Sequence, residues 1–135
     1  MFDWFRRKKK MEQTGWSAGA YLVDAHIVIH SMSRTRTGRG WYNRPVFAMP
    51  ADARVNDLGT ALRSALNAST WDSTEDDSGE DPHPVATEAG ARNWRDLENR
   101  SKFVSVSTDR QTIALCPHRP PTPGEGGRGF VGKTE

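Results

Sequence analysis

Histidine and cysteine are the residues of this chain best suited to metal or nucleophilic chemistry, and their spacing supports neither. His26 and His30 lie four apart and share one face of a strand, but no third Cys, Asp or His follows at a recognisable ligand spacing. They are better interpreted as polar-face residues beside Asp24. The single cysteine, Cys116, excludes an intrachain disulfide and is most simply a small core residue. Since no Ser-His-Asp order, HExxH, CxxC or phosphate-binding loop is present either, we expect no enzyme, no cofactor and no metal site.

Residues 71–84 form an acidic segment crowded with Ser, Gly and Pro. Its carboxylates lack the spacing of an EF-hand calcium loop, and nothing places two of them around a substrate for acid–base catalysis. Two interpretations remain open, a solvated loop and a negatively charged face for a basic partner. The members of that acidic face are Trp71, Asp72, Glu75, Asp76, Asp77, Glu80 and Asp81.

Residues 31–45 are basic and prone to turns, with arginines interleaved among aromatic residues. The members of this second candidate face are Arg34, Arg36, Arg39, Trp41 and Arg44. Arginine beside aromatics is the composition that binds single-stranded nucleic acid or an acidic protein surface. The sequence favours a plainer interpretation, a solvent-exposed hairpin in which a strand over 20–30 turns into a strand over 41–49.

The charge of the 135-residue chain is bipolar rather than basic. Residues 1–54 carry ten Lys or Arg against four Asp or Glu, whereas residues 55–100 carry four against ten, and the total is only +2. A general nucleic-acid footprint is therefore not indicated. The start of the chain lacks the apolar run of a signal peptide, and no later stretch approaches a membrane span. We expect a cytoplasmic protein that binds neither a membrane nor nucleic acid.

Hydrophobic periodicity predicts two helices. Leu58, Leu62 and Leu66 recur at helical spacing, so an amphipathic helix is expected from about residue 56 to residue 67. Residues 85–100 predict a second helix, in which Trp94 and Leu97 cover the sheet.

Residues 102–117 predict a β-hairpin. Its alternating apolar residues are Val104, Val106, Ile113 and Leu115, on either side of a turn near 108–111. We predict that Val106 faces Ile113 and that Val104 faces Leu115, which gives one buried core face. The opposite face, with Ser105, Ser107 and Thr112, is small and polar and is available to solvent or a partner.

The order of two segments resembles the immunity proteins of bacterial contact-dependent growth inhibition (CdiI). Residues 46–70 have a strand, a proline-led acidic turn and a Leu-Gly…Ala-Leu helix, and residues 98–120 have a Ser-rich hairpin that ends in Pro-x-Arg. Gly-Arg-Gly-Phe at 127–130 is similar to the closing segment of that family. The matching positions are Pro50, Asp52, Leu58, Gly59, Ala61, Leu62, Leu66, Pro117 and Arg119. The resemblance covers about half of the chain, and the Arg-rich 31–45 and acidic 71–84 segments depart from it.

The resemblance implies a cytoplasmic inhibitor that does no chemistry itself. Such proteins bind the C-terminal toxin domain that a neighbouring cell delivers, usually a nuclease, and block its active site or its substrate-binding face. A nuclease has a basic, phosphate-seeking surface, which the acidic face at 71–81 would complement. The opposite polarity also stays open, with the arginines of 34–44 gripping an acidic toxin surface. The alternative function is a small nucleic-acid-binding or regulatory protein that uses the 34–44 hairpin.

We expect a single α+β domain, with a mainly antiparallel sheet of at least four strands and two helices packed on one face. Residues 1–17 are expected to form a basic flexible N-terminus, and 18–120 the immunity-protein-like domain. Within that domain 71–84 is a flexible insert, and residues 121–135 form a Pro/Gly-rich tail. The expected partner is a cognate toxin protein, with no small-molecule substrate.

Overall fold

The computed structural model describes residues 12–34, 40–71, 83–119 and 131–132, with the side chains of 40, 41, 119, 131 and 132 left out. These residues form a six-stranded antiparallel sheet, in the order β3-β2-β1-β4-β5-β6, and three helices. The elements are β1 Trp16–Val23, β2 His26–Arg34, β3 Gly40–Pro50, α1 Val55–Asn67, α2 Pro84–Glu88, α3 Trp94–Arg100, β4 Ser101–Thr108, β5 Ile113–Arg119 and β6 Val131–Gly132. The predicted α+β class with a mainly antiparallel sheet is confirmed.

The stretch 20–30, predicted as one strand, contains a tight β1–β2 hairpin. Val23 pairs with His26 across a two-residue turn, and Asp24 has a φ of 52°. Aspartate tolerates this left-handed conformation better than most residues, so a turn forms here although the sequence contains neither Gly nor Pro at this point. β1 begins at Trp16, just inside the segment predicted as the N-terminal extension. Most of that extension, the acidic insert and the C-terminal tail lie outside the described residues.

Helices pack on both faces of the sheet, which corrects the prediction of two helices on one face. α1 packs through Ala61, Ala65 and Leu66 on the face that carries Ala18 and Ile29, which we call the α1 face. The opposite, α2–α3 face buries Val85 and Leu97 of the helices against four strand residues. Those residues are Tyr21, Val23, Val28 and Phe103. The central strands are apolar on both sides, as sheets covered by helices on both faces require.

The predicted helix over 85–100 is two short helices. Gly90 has a φ of 74°, a left-handed conformation that ends a helix and that glycine adopts without steric cost. α3 then restarts with Asn93 as its N-cap, whose side-chain oxygen accepts a hydrogen bond from the Asp96 N–H at 2.8 Å. α2 is capped by Nδ1 of His83, which accepts from the Val85 N–H at 3.2 Å. The helical spacing of apolar residues over 85–100 therefore continues across Gly90, although Gly90 divides the segment into two helices.

The β4–β5 hairpin exists, but its predicted register is wrong by two residues. Val106 pairs with Leu115 and Thr108 pairs with Ile113. The loop is therefore 109–112, one position later than predicted. Asp109 organises it, because its Oδ1 accepts hydrogen bonds from the N–H groups of residues 111 and 112 and from the Thr112 hydroxyl. A shift of two residues leaves every side chain on its predicted face.

The predicted core face of that hairpin is only partly buried. Val106 is 2% exposed, whereas Ile113 and Leu115 are 66% and 65% exposed. Of the described helices, α1 packs mainly over β1, β2 and β3, so Ile113 and Leu115 of β5 lie beyond its cover. The predicted face of Ile113 and Leu115 is right, but β5 lies in the part of the sheet that α1 does not cover. Alternation assigns a side chain to a face, but not to the covered part of that face.

The predicted hairpin that joins the second strand to 41–49 is confirmed as β2–β3. The register shifts between His30 and Ser31, which pair with Val46 and Asn43. Arg44 and the next residue form the bulge, and the peptide bond between them is cis. Arg44 is exposed, and its N–H donates to the Asn43 side-chain oxygen at 2.9 Å.

Candidate functional site

The loop that follows α1 is fixed to the sheet at the start of β1 and the end of β2. Ser69 is buried, and its Oγ donates to the Met32 carbonyl at 2.6 Å while it accepts from the Ser17 N–H at 3.0 Å. The carbonyl of Thr70 accepts from the Arg34 N–H at 2.8 Å. These bonds satisfy backbone groups that would otherwise be unpaired at the end of the sheet, and they set the position of the next residue.

That next residue, Trp71, lies beneath the side chain of Arg34. The guanidinium carbon of Arg34 is 5.1 Å from the centroid of the indole ring, a cation–π contact. Trp71 was predicted to belong to the acidic face and Arg34 to the basic face. The structure brings these two residues into contact at one end of the sheet, although the sequence assigned them to different candidate faces.

The other members of the two faces are placed as follows. Arg44 lies at the β3 bulge and is exposed. Trp41 is a residue of β3 whose side chain is not described. The remaining predicted residues lie outside the described part of the chain, and they are Arg36, Arg39, Asp72, Glu75, Asp76, Asp77, Glu80 and Asp81.

A concave surface of about 210 Å³ opens beside the Arg34–Trp71 contact on the α2–α3 face. We call it the serine–tryptophan surface. Its lining residues are Ser17, Met32, Ser33, Arg34, Ser69, Trp71, Phe103, Ser105, Val106, Ser107 and His118. The lining combines hydroxyls, one imidazole, one guanidinium and an indole, and it contains no carboxylate. Hydrogen-bonding groups around aromatic side chains are typical of the anchoring part of a protein interface.

Sequence reasoning missed the hydrogen bond between Ser105 and His118 on this surface. The Ser105 Oγ lies 2.9 Å from Nε2 of His118, whose ring packs against Phe103 at a centroid distance of 5.0 Å. The pairing of Phe103 with His118 puts all three side chains on one face, which the corrected register would have shown. We interpret the pair as a hydrogen-bonding element of the surface, because the pairing of β4 with β5 fixes the positions of both residues.

His30, predicted to lie on a polar face, is instead buried in an aromatic cluster under α2 and α3. Its ring stacks on Tyr21 at 5.7 Å and meets Tyr42 edge-on at the same centroid distance. His83 and Trp94 continue the cluster, with ring centroids 4.7 Å apart. Nδ1 of His30 donates to the Ser31 carbonyl at 2.8 Å. The cluster packs α2 and α3 against the sheet, so His30 contributes to the core rather than to a binding site.

Burial shifts two pKa values in this cluster. The pKa of His30 is lowered to about 4, chiefly because burial removes water from the charged imidazolium. The pKa of Tyr21 is raised well above its ordinary range, first by burial and then by the nearby carboxylate of Glu98. Both groups are therefore uncharged at neutral pH.

The described residues contain no group of three or more His, Cys, Asp or Glu side chains arranged to hold a metal ion. Within the same ranges, no helix is both long and apolar enough to cross a bilayer. Cys116 is half-buried on the face of Phe103, and its thiol is 3.8 Å from the carbonyl of Pro117.

Comparison with solved structures finds the same fold in two bacterial proteins. One is a chain of the CdiA-CT/CdiI toxin and immunity complex from Yersinia pseudotuberculosis, with a TM-score of 0.67 and 14% sequence identity. The likeness covers 89% of the present chain and 80% of that chain. The other is a protein of unknown function from Neisseria meningitidis, with a TM-score of 0.66, 16% identity, and coverage of 93% and 83%. No family model and no curated protein matches the sequence. At these identities the likeness establishes the fold alone.

Proposed function

We propose that this chain is an immunity protein of a contact-dependent growth inhibition system. It binds the C-terminal toxin domain and neutralises it without doing chemistry. The observation that carries the proposal is the fold shared over 89% of the chain with a chain of a toxin and immunity complex. The segment order at 46–70 and 98–120 supports the same assignment from the sequence, although each motif is short.

The toxin-binding face is centred on Trp71 and Arg34. A tryptophan held in place by its own backbone and stacked by an arginine loses little conformational entropy on binding, and these two residue types dominate interface hot spots. Ser105 and His118 add hydrogen-bonding groups beside them. The acidic residues 72–81 follow Trp71 directly, and the arginines at 36 and 39 follow Arg34.

Charge gives the face its selectivity. A nuclease domain carries a positive surface for phosphate, and the six carboxylates that follow Trp71 in the sequence steer such a domain and raise its association rate. Occupation of that positive surface excludes the nucleic acid substrate. We propose on this ground that the toxin is a nuclease and that inhibition blocks its active site or its substrate-binding face.

The direct test is co-expression with a toxin domain, and the proposal predicts that the gene next to this one encodes that toxin. Growth arrest by the toxin domain alone should be relieved by this chain, and the two purified proteins should form a 1:1 complex. Trp71→Ala and Arg34→Ala should each weaken the complex at least tenfold, as expected for anchoring residues. Arg54→Ala is the matched control, because Arg54 is exposed where α1 begins, at the opposite end of that helix from Trp71.

Neutralising the six carboxylates of 72–81 to their amides tests the electrostatic part separately. The association rate should fall and its salt dependence should flatten, while the dissociation rate changes little. Unchanged kinetics would remove the acidic segment from the face and leave Trp71 and Arg34. If wild-type chain neither relieves arrest nor binds the toxin domain, the immunity function is wrong. A salt-dependent affinity for RNA in that case would favour the alternative, a nucleic-acid-binding protein that uses the arginines of 34–44.

A further inference from the structure

An apolar floor lies open on the α1 face, on the opposite side of the sheet from most of the serine–tryptophan surface. Its members are Leu22, Val104, Ile113, Leu115 and Pro117. Val104 is half-buried, and the other four are exposed, with Leu22 at 40% and Ile113 and Leu115 at about two thirds. Contiguous apolar side chains on a sheet face are uncommon on a soluble surface unless another element covers them.

The floor has the width of one helix. Neighbouring strands are about 4.8 Å apart, so β4 and β5 together present a lane about 10 Å wide, which is close to the diameter of a helix with its side chains. α1 occupies the neighbouring lane over β1, β2 and β3. A second helix beside α1 would complete the helical layer on this face of the sheet.

The rim of the floor is positively charged. Lys102 is exposed on β4 on the same face, and Arg63 is exposed on α1. Arg110 belongs to the loop at the other end of β4 from Lys102, where its guanidinium donates to the side-chain oxygen of Asn67 at 2.7 Å and stacks on Trp16 at 4.1 Å. Arg63 lies one turn before Asn67, on the side of α1 that Arg110 reaches.

These cations are available to a partner. Neither Arg63 nor Lys102 forms an ion pair with any residue in the described ranges. The nearby loop carries one carboxylate, Asp109, which keeps its negative charge while it accepts hydrogen bonds from its own loop. It therefore offsets at most one of the three cations. An apolar floor with a basic rim requires an occupant that is apolar on one side and acidic at its flanks.

No segment of this chain outside the described residues has that composition. Residues 1–11 are apolar but basic, and residues 72–82 are acidic but contain no large apolar side chain. Residues 120–130 are Pro/Gly-rich with one Glu and one Arg, and 35–39 and 133–135 are too short to form a helix. A second copy docked through this same face would bring two basic rims together, which is repulsive.

We infer that this floor is a docking site for an acidic amphipathic helix of another protein. The helix lies beside α1 over β4 and β5, with leucine-type side chains on Ile113 and Leu115. Its carboxylates pair with Arg63, Lys102 and Arg110. This site is separate from the proposed toxin-binding face and does not depend on that function.

The probe is a synthetic peptide of ~18 residues, with leucines at positions i, i+3, i+4 and i+7, glutamates only at the positions that flank them, and alanines elsewhere to favour the helix. Titration into the full chain with labelled Ile, Leu and Val methyl groups should shift the methyl signals of Leu22, Val104, Ile113 and Leu115. The same peptide with lysine in place of glutamate should not shift them. Added salt should weaken the binding several-fold.

Charge reversal supplies the matched variant. Arg63→Glu combined with Lys102→Glu should lower the affinity for the acidic peptide at least tenfold. The lysine peptide should then shift the same methyl signals. Both positions are exposed, so thermal unfolding should stay close to that of the wild type. The inference is overturned if neither peptide shifts these methyls at about millimolar concentration, or if both shift them equally. It is also overturned if the methyls shift with protein concentration and the mass doubles, because the occupant is then a second copy.

Discussion

The imidazole of His30 fills the space in which residue 19 would carry a side chain. A Cβ placed on Gly19 would lie 2.6 Å from Nε2 of His30 and 2.8 Å from Cε1 of Phe103. Gly19 pairs with His30 on one side and with Ser105 on the other, in the middle of the sheet. A glycine in a central strand normally weakens it, and here it makes room for the aromatic cluster. The same contact joins the buried core to Phe103, which also lines the serine–tryptophan surface.

Gly19→Ala should therefore destabilise the protein by about 1–3 kcal/mol, the usual cost of forcing extra atoms into a packed core. The measurement is urea unfolding followed by circular dichroism. Gly59→Ala is the matched control, since its Cβ would meet nothing within 4 Å and Gly59 lies inside α1. The control should gain up to about 1 kcal/mol, because alanine is the better helix former. Equal effects of the two substitutions would show that the His30 ring does not occupy this space.

Acid should destabilise the protein through His30. The folded-state pKa of His30 is about 4, whereas an unfolded histidine titrates near 6.5. The unfolded chain therefore binds the proton more readily, so stability is fully present above pH 6.5 and is lost as the pH falls toward 4. The full loss is about 3 kcal/mol, at about 1.4 kcal/mol per pKa unit.

The measurement for His30 is the free energy of unfolding as a function of pH between 7 and 4. His30→Gln keeps a donor for the Ser31 carbonyl and carries no charge at any pH, so it should remove this step. His26→Gln is the control, because His26 is exposed on the same strand, and it should leave the step in place. Parallel profiles for wild type and His30→Gln would contradict the assignment.

The sequence predicts elements well where one pattern determines them. The leucine period predicts α1 to within about three residues at each end, because burial of a single stripe is enough to define a helix. The break at Gly90 and the turn at Asp24 depend on a single left-handed residue each, and a period of apolar residues does not show them. The contact of Arg34 with Trp71 cannot be predicted from neighbouring residues in the sequence, because it depends on how the loop after α1 crosses the end of two strands.

The two faces of the sheet show a second limit of sequence patterns. Val106 and Leu115 are directly paired and share one face, yet one is covered by α1 and the other is not. Val106→Ala should therefore cost about 1–3 kcal/mol of unfolding free energy, whereas Leu115→Ala should change it by less than about 0.5 kcal/mol. Chemical denaturation of the two variants checks this difference directly. A comparable loss at Leu115 would mean that another element covers β5 in solution.

Ser69 links the fold to the proposed toxin-binding face. Its Oγ bridges the Met32 carbonyl and the Ser17 N–H, and Trp71 follows two residues later. Ser69→Ala leaves both backbone groups without this partner in a buried position, so we expect a loss of about 1–3 kcal/mol in unfolding free energy.

The same substitution should also loosen Trp71, because the bridge is one of the bonds that fix the loop to the sheet. The measurement is backbone ¹⁵N relaxation, in which the order parameter of Trp71 should fall while that of Val106 stays unchanged. Ser64→Ala, at an exposed position of α1, is the control and should alter neither quantity. If Ser69→Ala lowered stability but left Trp71 rigid, the indole would be held by the Arg34 stack and the Arg34 N–H bond to residue 70. Arg34→Ala would then be the substitution that mobilises it.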